Sequence, residues 1–255
     1  VDLTIVGCSG SFAGPDSPAS SYLVRAEQDG RTWSIVLDLG NGALGHLQRH
    51  IDPLTVDAVL VSHLHVDHCI DLCGLYVMLK YVPGGSGREG VPAYGPEGTG
   101  DHLARAYGNM EIEDVPGVFD FRVIHDREPI EVGPFTITPV LVEHPIEAYG
   151  FRVEADGRTL AYTGDTDLCD ALTPLMTGAD LVLADAAFVD GRDEIRGIHL
   201  SGSRAAEAAV HAGGVQRLML THLPSWNDPD QCRAQAAAVW PGDVEVAKPG
   251  ATYTV

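Results

Sequence analysis

His63-Leu64-His65-Val66-Asp67-His68 sets three imidazoles and a carboxylate within six residues. Imidazole nitrogen and carboxylate oxygen are donors that suit Zn²⁺ and similar divalent ions, which polarise phosphoryl or carbonyl oxygens and acidify bound water. In extended backbone, residues i and i+2 point the same way, so His63 and His65 can grip one ion. A chain reversal after them turns Asp67 and His68 back toward a second ion. They then stand at the start of a helix, where the dipole favours anionic groups. Packing alone is a poor explanation for so dense a polar cluster.

The elements around the cluster must hold it in place. Val56 to Val61, apolar except for Asp57, reads as a buried strand leading into the cluster, and a helix is predicted over about 69–80. Other strands are predicted at 2–6, 21–26, 33–37, 119–124, 135–142, 149–155, 158–163, 181–183 and 217–220. Asp156-Gly157 joins 149–155 to 158–163 as a hairpin. Helices are predicted at 43–49, at 201–212 with Ser201 as N-cap, and at 228–239. Gly7-Cys8-Ser9-Gly10-Ser11 and Asp38-Leu39-Gly40-Asn41-Gly42 read as tight turns. The Pro/Gly/Ser-rich stretch 82–90, with Arg88 and Glu89, reads as a solvated connection, a mobile flap being the sharper alternative. Strands followed by helices in each half suggest a two-sheet core with helices outside. The 255 residues fit one domain, 1–255.

An HxHxDH run after an apolar strand resembles the signature of metallo-β-lactamase fold hydrolases, and the resemblance covers nearly the whole chain. It implies an α/β fold, the four-layer αβ/βα sandwich. Asp38 in LDLGNG resembles the superfamily's first aspartate, close behind the ligands. His144 in VEHPIEAYGFRV, Asp165 in AYTGDT and His222 in LMLTHL match its remaining ligands. By that match one ion takes His63, His65, His144 and Asp165, and the other takes Asp67, His68, Asp165 and His222. Taken singly, His144 reads equally well as a loop histidine and Asp165 as a turn residue. His46, His50, His102, His125 and His211 have no such context and read as surface or packing residues.

Two ions of this kind serve phosphodiesters, lactones, thioesters and amides alike, so other residues must indicate the substrate. His199 in GIHLSGSRAAEAA resembles the extra histidine of the ribonuclease Z-like and cyclic-nucleotide phosphodiesterase branch. There it binds a phosphate oxygen or assists the leaving group, a general-acid role. GCSGSFAGPDSPASSYLV resembles the early loop of that branch. Ribonuclease Z has a histidine-glutamate pair where this chain has Ala184-Asp185, so Asp185 is the candidate partner of His199. Its long tRNA-gripping arm has no room between His144 and Asp165.

The resemblance therefore implies a phosphodiesterase for a small substrate such as cyclic AMP. A metal-bridging hydroxide would attack phosphorus, oriented by Asp67, while His199 serves the leaving oxygen. Two divalent ions are implied, Zn²⁺ first, with Mn²⁺ or Fe²⁺ also accepted by the ligand set. Trp226, on the loop after His222, is a candidate for stacking on a base, with packing the plainer role. The alternatives are a lactonase or thioesterase on the same fold, or a non-catalytic metal-binding scaffold. A β-lactamase proper is the weakest, because no leader is visible and an aspartate stands where cysteine or serine would be expected as a second-metal ligand. A homodimer is expected by analogy alone.

Composition narrows the partners. A net charge of −20 and a pI near 4.7 repel polyphosphate chains and anionic membranes, so neither a long nucleic acid nor a membrane is expected. Bound divalent ions would still draw in a small anion. The five cysteines, Cys8, Cys69, Cys73, Cys169 and Cys232, show no CxxC spacing and read as reduced, mostly buried thiols. Cys8 and Cys69 stand close enough to the motifs to line a site. Val1 to Val6 reads as a strand, not a basic leader, and a cytoplasmic location is expected.

Overall fold

The computed structural model describes residues 1–88, 90–108 and 117–255. β1 (Asp2–Gly7), β2 (Ser21–Gln28) and β3 (Arg31–Leu37) form an antiparallel meander. β4 (Ala58–Leu60), β5 (Val91–Gly95) and β6 (Phe119–Val123) extend it in parallel. The second sheet begins with the antiparallel β7 (Ile130–Val132), β8 (Phe135–Leu141), β9 (Tyr149–Ala155) and β10 (Arg158–Tyr162). The parallel strands β11 (Leu181–Asp185), β12 (Leu218–Thr221) and β13 (Val244–Val246) complete it. β14 (Thr252–Thr254) returns to pair with β1. Each sheet has seven strands, ordered β14-β1-β2-β3-β4-β5-β6 and β13-β12-β11-β10-β9-β8-β7.

Strand alternation sorts side chains into layers. Tyr22, Ile35, Leu37 and Leu60 of the first sheet meet Phe151, Leu160, Tyr162, Leu183 and Met219 of the second in the central core. Their neighbours Leu23, Val36 and Val59 face outward beneath α1 (Ala43–Leu47), α3 (Leu72–Tyr81) and α4 (Thr99–Gly108). On the far side, Ala161, Val182, Ala184 and Leu220 face α5 (Leu172–Met176), α6 (Gly202–Ala212) and α7 (Pro229–Ala237). The layers are thus helix, sheet, sheet, helix, the predicted sandwich.

Local chemistry explains the ends of elements. Asp156 and Gly157 both adopt positive φ (53° and 70°), the conformation a two-residue hairpin matched to strand twist requires. Ser201 caps α6 by accepting from the Arg204 N–H. Asp228 caps α7, with Pro229 in its first turn.

Some expectations needed revision. The predicted helix over 69–80 is two pieces, α2 (Val66–Cys69) and α3. The strand of Val56 to Val61 shortens to Ala58–Leu60: Val56 closes the preceding turn on the Pro53 carbonyl, and just past Val61 the Ser62 N–H turns to the Asp38 carboxylate at 2.7 Å. β5 and α5 contain Pro92 and Pro174, which hid them in the sequence. The 82–88 connection is tied down where Arg88 Nη1 donates to the carbonyls of Leu54 and Val56, and Glu89 lies outside the described residues. Among the described residues, no helix is long and apolar enough to cross a membrane.

Candidate metal centre

The strand ends that gather at one rim of the sandwich carry the predicted residues. Asp38 follows β3, His63 follows β4, His144 follows β8, Asp165 follows β10, Asp185 ends β11 and His222 follows β12. Asp67 and His68 lie in the first turn after His65, at the start of α2. Two glycines permit the close approach this needs. A Cβ on Gly40 would lie 1.9 Å from the Asp67 carbonyl oxygen, and one on Gly10 would lie 2.2 Å from that of His222.

His63, His65 and His144 form one group. His65 Nδ1 lies 3.0 Å from His63 Nε2 and 3.2 Å from His144 Nε2. Asp67, His68, Asp165 and His222 form a second, wholly buried group. His68 Nε2 is 3.2 Å from Asp165 Oδ1, and His222 Nε2 is 3.2 Å from Asp165 Oδ2, which is itself 3.7 Å from His63 Nε2. Asp165 therefore stands between the groups.

The backing hydrogen bonds fix the tautomers. Asp38, fully buried, accepts from the Ser62 N–H (2.7 Å), Ser62 Oγ (2.8 Å), His68 Nδ1 (2.8 Å) and Tyr162 OH (2.7 Å). With its proton given to Asp38, Ser62 Oγ is left to accept from His63 Nδ1 at 3.0 Å. His144 Nδ1 donates to the Ile198 carbonyl at 2.8 Å. The Ser11 N–H donates to His222 Nε2 at 3.3 Å, so His222 carries its proton on Nδ1, which donates to Ser20 Oγ at 2.9 Å. His63, His68 and His144 thus each turn Nε2 inward, the arrangement a metal ligand needs, and His222 Nε2, 3.2 Å from Asp165 Oδ2, would exchange its hydrogen bond from Ser11 for an ion.

These residues fit divalent ions. His68 Nε2 and Asp165 Oδ1 are buried and make no hydrogen bond. Such orphaned atoms are costly unless a ligand takes them. Burial holds the pKa of His63, His65, His144 and His222 below the usual value, keeping them neutral. Burial also opposes charge on His68, but the Asp165 and Asp38 carboxylates outweigh it and push its pKa well up. That pull marks a place where positive charge is favoured. Burial raises Asp67, yet the hydrogen bond and charge of His68 and the charge of His222 outweigh it, and its pKa falls to about 2.

His199 stands beside both groups, its ring centroid 5.5 Å from that of His144 and 5.3 Å from that of His222. Its Nδ1 donates to Asp185 Oδ2 at 2.9 Å. Asp185, fully buried, is oriented by the Thr166 and Ala187 N–H groups. Burial works against a charged His199, but Asp185 and Asp165 more than offset it and lift its pKa to about 9. The predicted partnership of His199 and Asp185 is present despite the shorter aspartate.

Other supports carried no sequence signal of their own. Ser20, Tyr162 and the Ile198 carbonyl act through the fold. So does Asp167, which accepts from Arg196 Nε (2.6 Å), the Gly197 N–H (2.7 Å) and Arg204 Nη1 (2.6 Å) and so anchors the segment leading to His199. The cysteines near the motifs have no part in the cluster. Burial raises the Cys8 thiol to about 11 and the Cys69 thiol to about 12, and Cys69 Sγ donates to the His65 carbonyl. The chain holds no disulfide among its five cysteines. Trp226 is not packed away but 63% exposed, with its ring against Phe12.

Residues 34–223 match the family model of the beta-lactamase superfamily domain. The chain belongs to that superfamily. It is 44% identical to an uncharacterized protein of Mycobacterium leprae, over all of this chain and 89% of that one. It is 29% identical to the probable metallo-hydrolase YhfI of Bacillus subtilis, with 97% of each chain covered. The crystal structure of YhfI, a metallo-beta-lactamase fold protein, superposes with a TM-score of 0.87 over 99% of this chain and 98% of that one, at 27% identity. Ribonuclease Z of Mycobacterium bovis is 27% identical over 96% of this chain and 95% of its own.

Proposed function

We propose that this chain, a metal-dependent hydrolase of the superfamily, cleaves a small phosphodiester, with a cyclic nucleotide such as 3′,5′-cyclic AMP as its substrate. The observation that carries the reading is the His199–Asp185 pair. Asp185 accepts the Nδ1 hydrogen bond, so Nε2 is the nitrogen left free to act, on a ring that stands beside those of His144 and His222. A positioned donor next to two cation sites is what the departure of a poor alkoxide leaving group requires. The similarity to ribonuclease Z supports the same class of bond. The acidic chain favours a small substrate over a polymer.

His63, His65, His144 and Asp165 would hold one divalent ion, and Asp67, His68, Asp165 and His222 the other. When bound, such ions neutralise phosphoryl oxygens and acidify water. Asp67, ionised throughout the neutral range, accepts a hydrogen bond from the attacking water and orients it, while the proton the water sheds passes to solvent. As the new P–O bond forms, the bond to the leaving oxygen breaks, and His199 Nε2 delivers a proton to that oxygen. Asp185 keeps the imidazole oriented and stabilises its charged form, and Asp38 and Ser62 keep His63 and His68 turned inward.

The test is hydrolysis of bis(p-nitrophenyl) phosphate and 3′,5′-cyclic AMP with Zn²⁺ or Mn²⁺, using Asp165→Ala as control. Turnover that the variant loses is the expected result. No turnover of either ester by a protein carrying two ions, together with cleavage of a lactone or thioester, would overturn it.

A further inference from the structure

Phe12 and Trp226 are 36% and 63% exposed, and their ring centroids lie 4.8 Å apart at 47°. Backbone holds both close to His222 of the metal centre. Phe12 follows Ser11, whose N–H lies 3.3 Å from His222 Nε2. The loop that carries it is pressed on the His222 backbone at Gly10, where no Cβ would fit. Trp226 lies four residues beyond His222, in a turn closed by the Asn227 N–H on the Pro224 carbonyl at 2.8 Å. Single exposed apolar side chains are ordinary, but here two aromatic rings share one spot on a rim. Val66, Ile146 and Ile195, all exposed, continue the apolar character within four residues of His65, His144 and His199.

We propose that the Phe12–Trp226 pair receives the flat heterocycle of the substrate, so that the phosphodiester cleaved at the metal centre is one that carries a nucleobase. The inference rests on the phosphodiesterase reading and specifies its substrate. The two halves of a nucleotide pose opposite demands. The phosphate needs cations, which the two ligand groups would supply. The base is neutral and apolar on its faces, and it stacks on aromatic rings whatever the chain's net charge. Placing the aromatic pair one residue from a contact to a ligand histidine lets one small molecule satisfy both. Rings already packed on each other lose less freedom when the base arrives than free ones would.

The experiment compares kcat/KM for 3′,5′-cyclic AMP with that for the base-free ribose 3′,5′-cyclic phosphate. Stacking of one base corresponds to a preference of about ten- to a hundredfold for the nucleotide. Trp226→Ala is expected to remove most of this preference, Phe12→Ala part of it, and Trp226→Phe little. An unchanged preference in Trp226→Ala overturns the platform while leaving the reaction standing. If neither ester is cleaved, the reaction fails and the platform is judged by binding. 5′-AMP is then expected to quench tryptophan fluorescence, with a Kd about tenfold weaker in Phe12→Ala. Equal affinity in wild type and variant, or no quenching, overturns it.

Discussion

His65 and His144 are only partly buried, whereas Asp67, His68, Asp165 and His222 are all buried. The two ligand groups also differ in charge. The first consists of three imidazoles kept neutral by burial, with no carboxylate among its own members and Asp165 3.7 Å from His63. The second contains two carboxylates and is backed by a third, Asp38, which takes the His68 proton. Charge out of water must be paired, so the second group depends on a cation far more than the first. The open group is the one that solvent can reach, and His199 stands beside its His144 and beside His222 of the buried group alike. One side of the centre is built to hold an ion and the other to expose one, and Asp165 belongs to both.

Removing the shared residue should therefore have the largest effect. Asp165→Ala is expected to lower kcat/KM by about four powers of ten or more and to reduce the metal content of both groups. Elemental analysis beside the kinetics checks this. A variant that keeps one tightly held ion would show that the buried group closes without its bridge, and would break the comparison in its present form.

His199→Ala comes next, with kcat down about a hundred- to a thousandfold and the metal content of the wild type. Asp185→Asn should cost less, because the amide oxygen can still orient the ring. A His199 variant that lost metal instead would place this residue in the open group as a ligand.

Smaller still is the effect of the outer hydrogen bonds. Ser20→Ala removes the hydrogen bond to His222 Nδ1 and none to the other ligand group, so it should weaken one of the two ions by about tenfold and leave the other unchanged. Asp38→Asn reaches His68 directly and His63 through Ser62, so it should weaken both, by about ten- to a hundredfold. Titration with a chelator, read by the metal released, separates the two patterns.

The sandwich was legible because β2, β3, β10 and β11 alternate between a sheet-facing and a helix-facing core, and such periodicity survives in the sequence. Short elements such as β7 (Ile130–Val132) were not, since three residues show no period. His63, His65, Asp67 and His68 stood out because HxHxDH concentrates donors beyond what packing needs, whereas His144, Asp165 and His222 were reached only through the family resemblance. Their supports did not. Ser20, Tyr162 and Asp167 are ordinary residues whose roles arise when β2, β10 and the segment after it reach the same rim. Phe12 was equally silent, since its partner Trp226 lies on a remote loop.

The smallest effect on turnover, about tenfold, is expected for Asp167→Asn, yet that variant tests how the open side is braced. Asp167 is 1% exposed and pairs with Arg204, itself buried, and with Arg196. Burial raises its carboxyl pKa, but Arg196, the Gly197 and Leu168 N–H groups and Arg204 outweigh this and hold it below the usual value. Breaking a buried pair on one side leaves Arg204 uncompensated and should cost about 3–5 kcal/mol at neutral pH. Because the folded pKa is the lower one, the contribution is complete above the unfolded value near ~3.9 and is lost as pH falls through the folded value. Urea denaturation of the two proteins should therefore show a gap that is constant from about pH 7 to 5 and closes below about pH 4. A gap independent of acid would mean that the asparagine disturbs packing instead, and that the Ile198 carbonyl and His199 are placed by the rest of their loop.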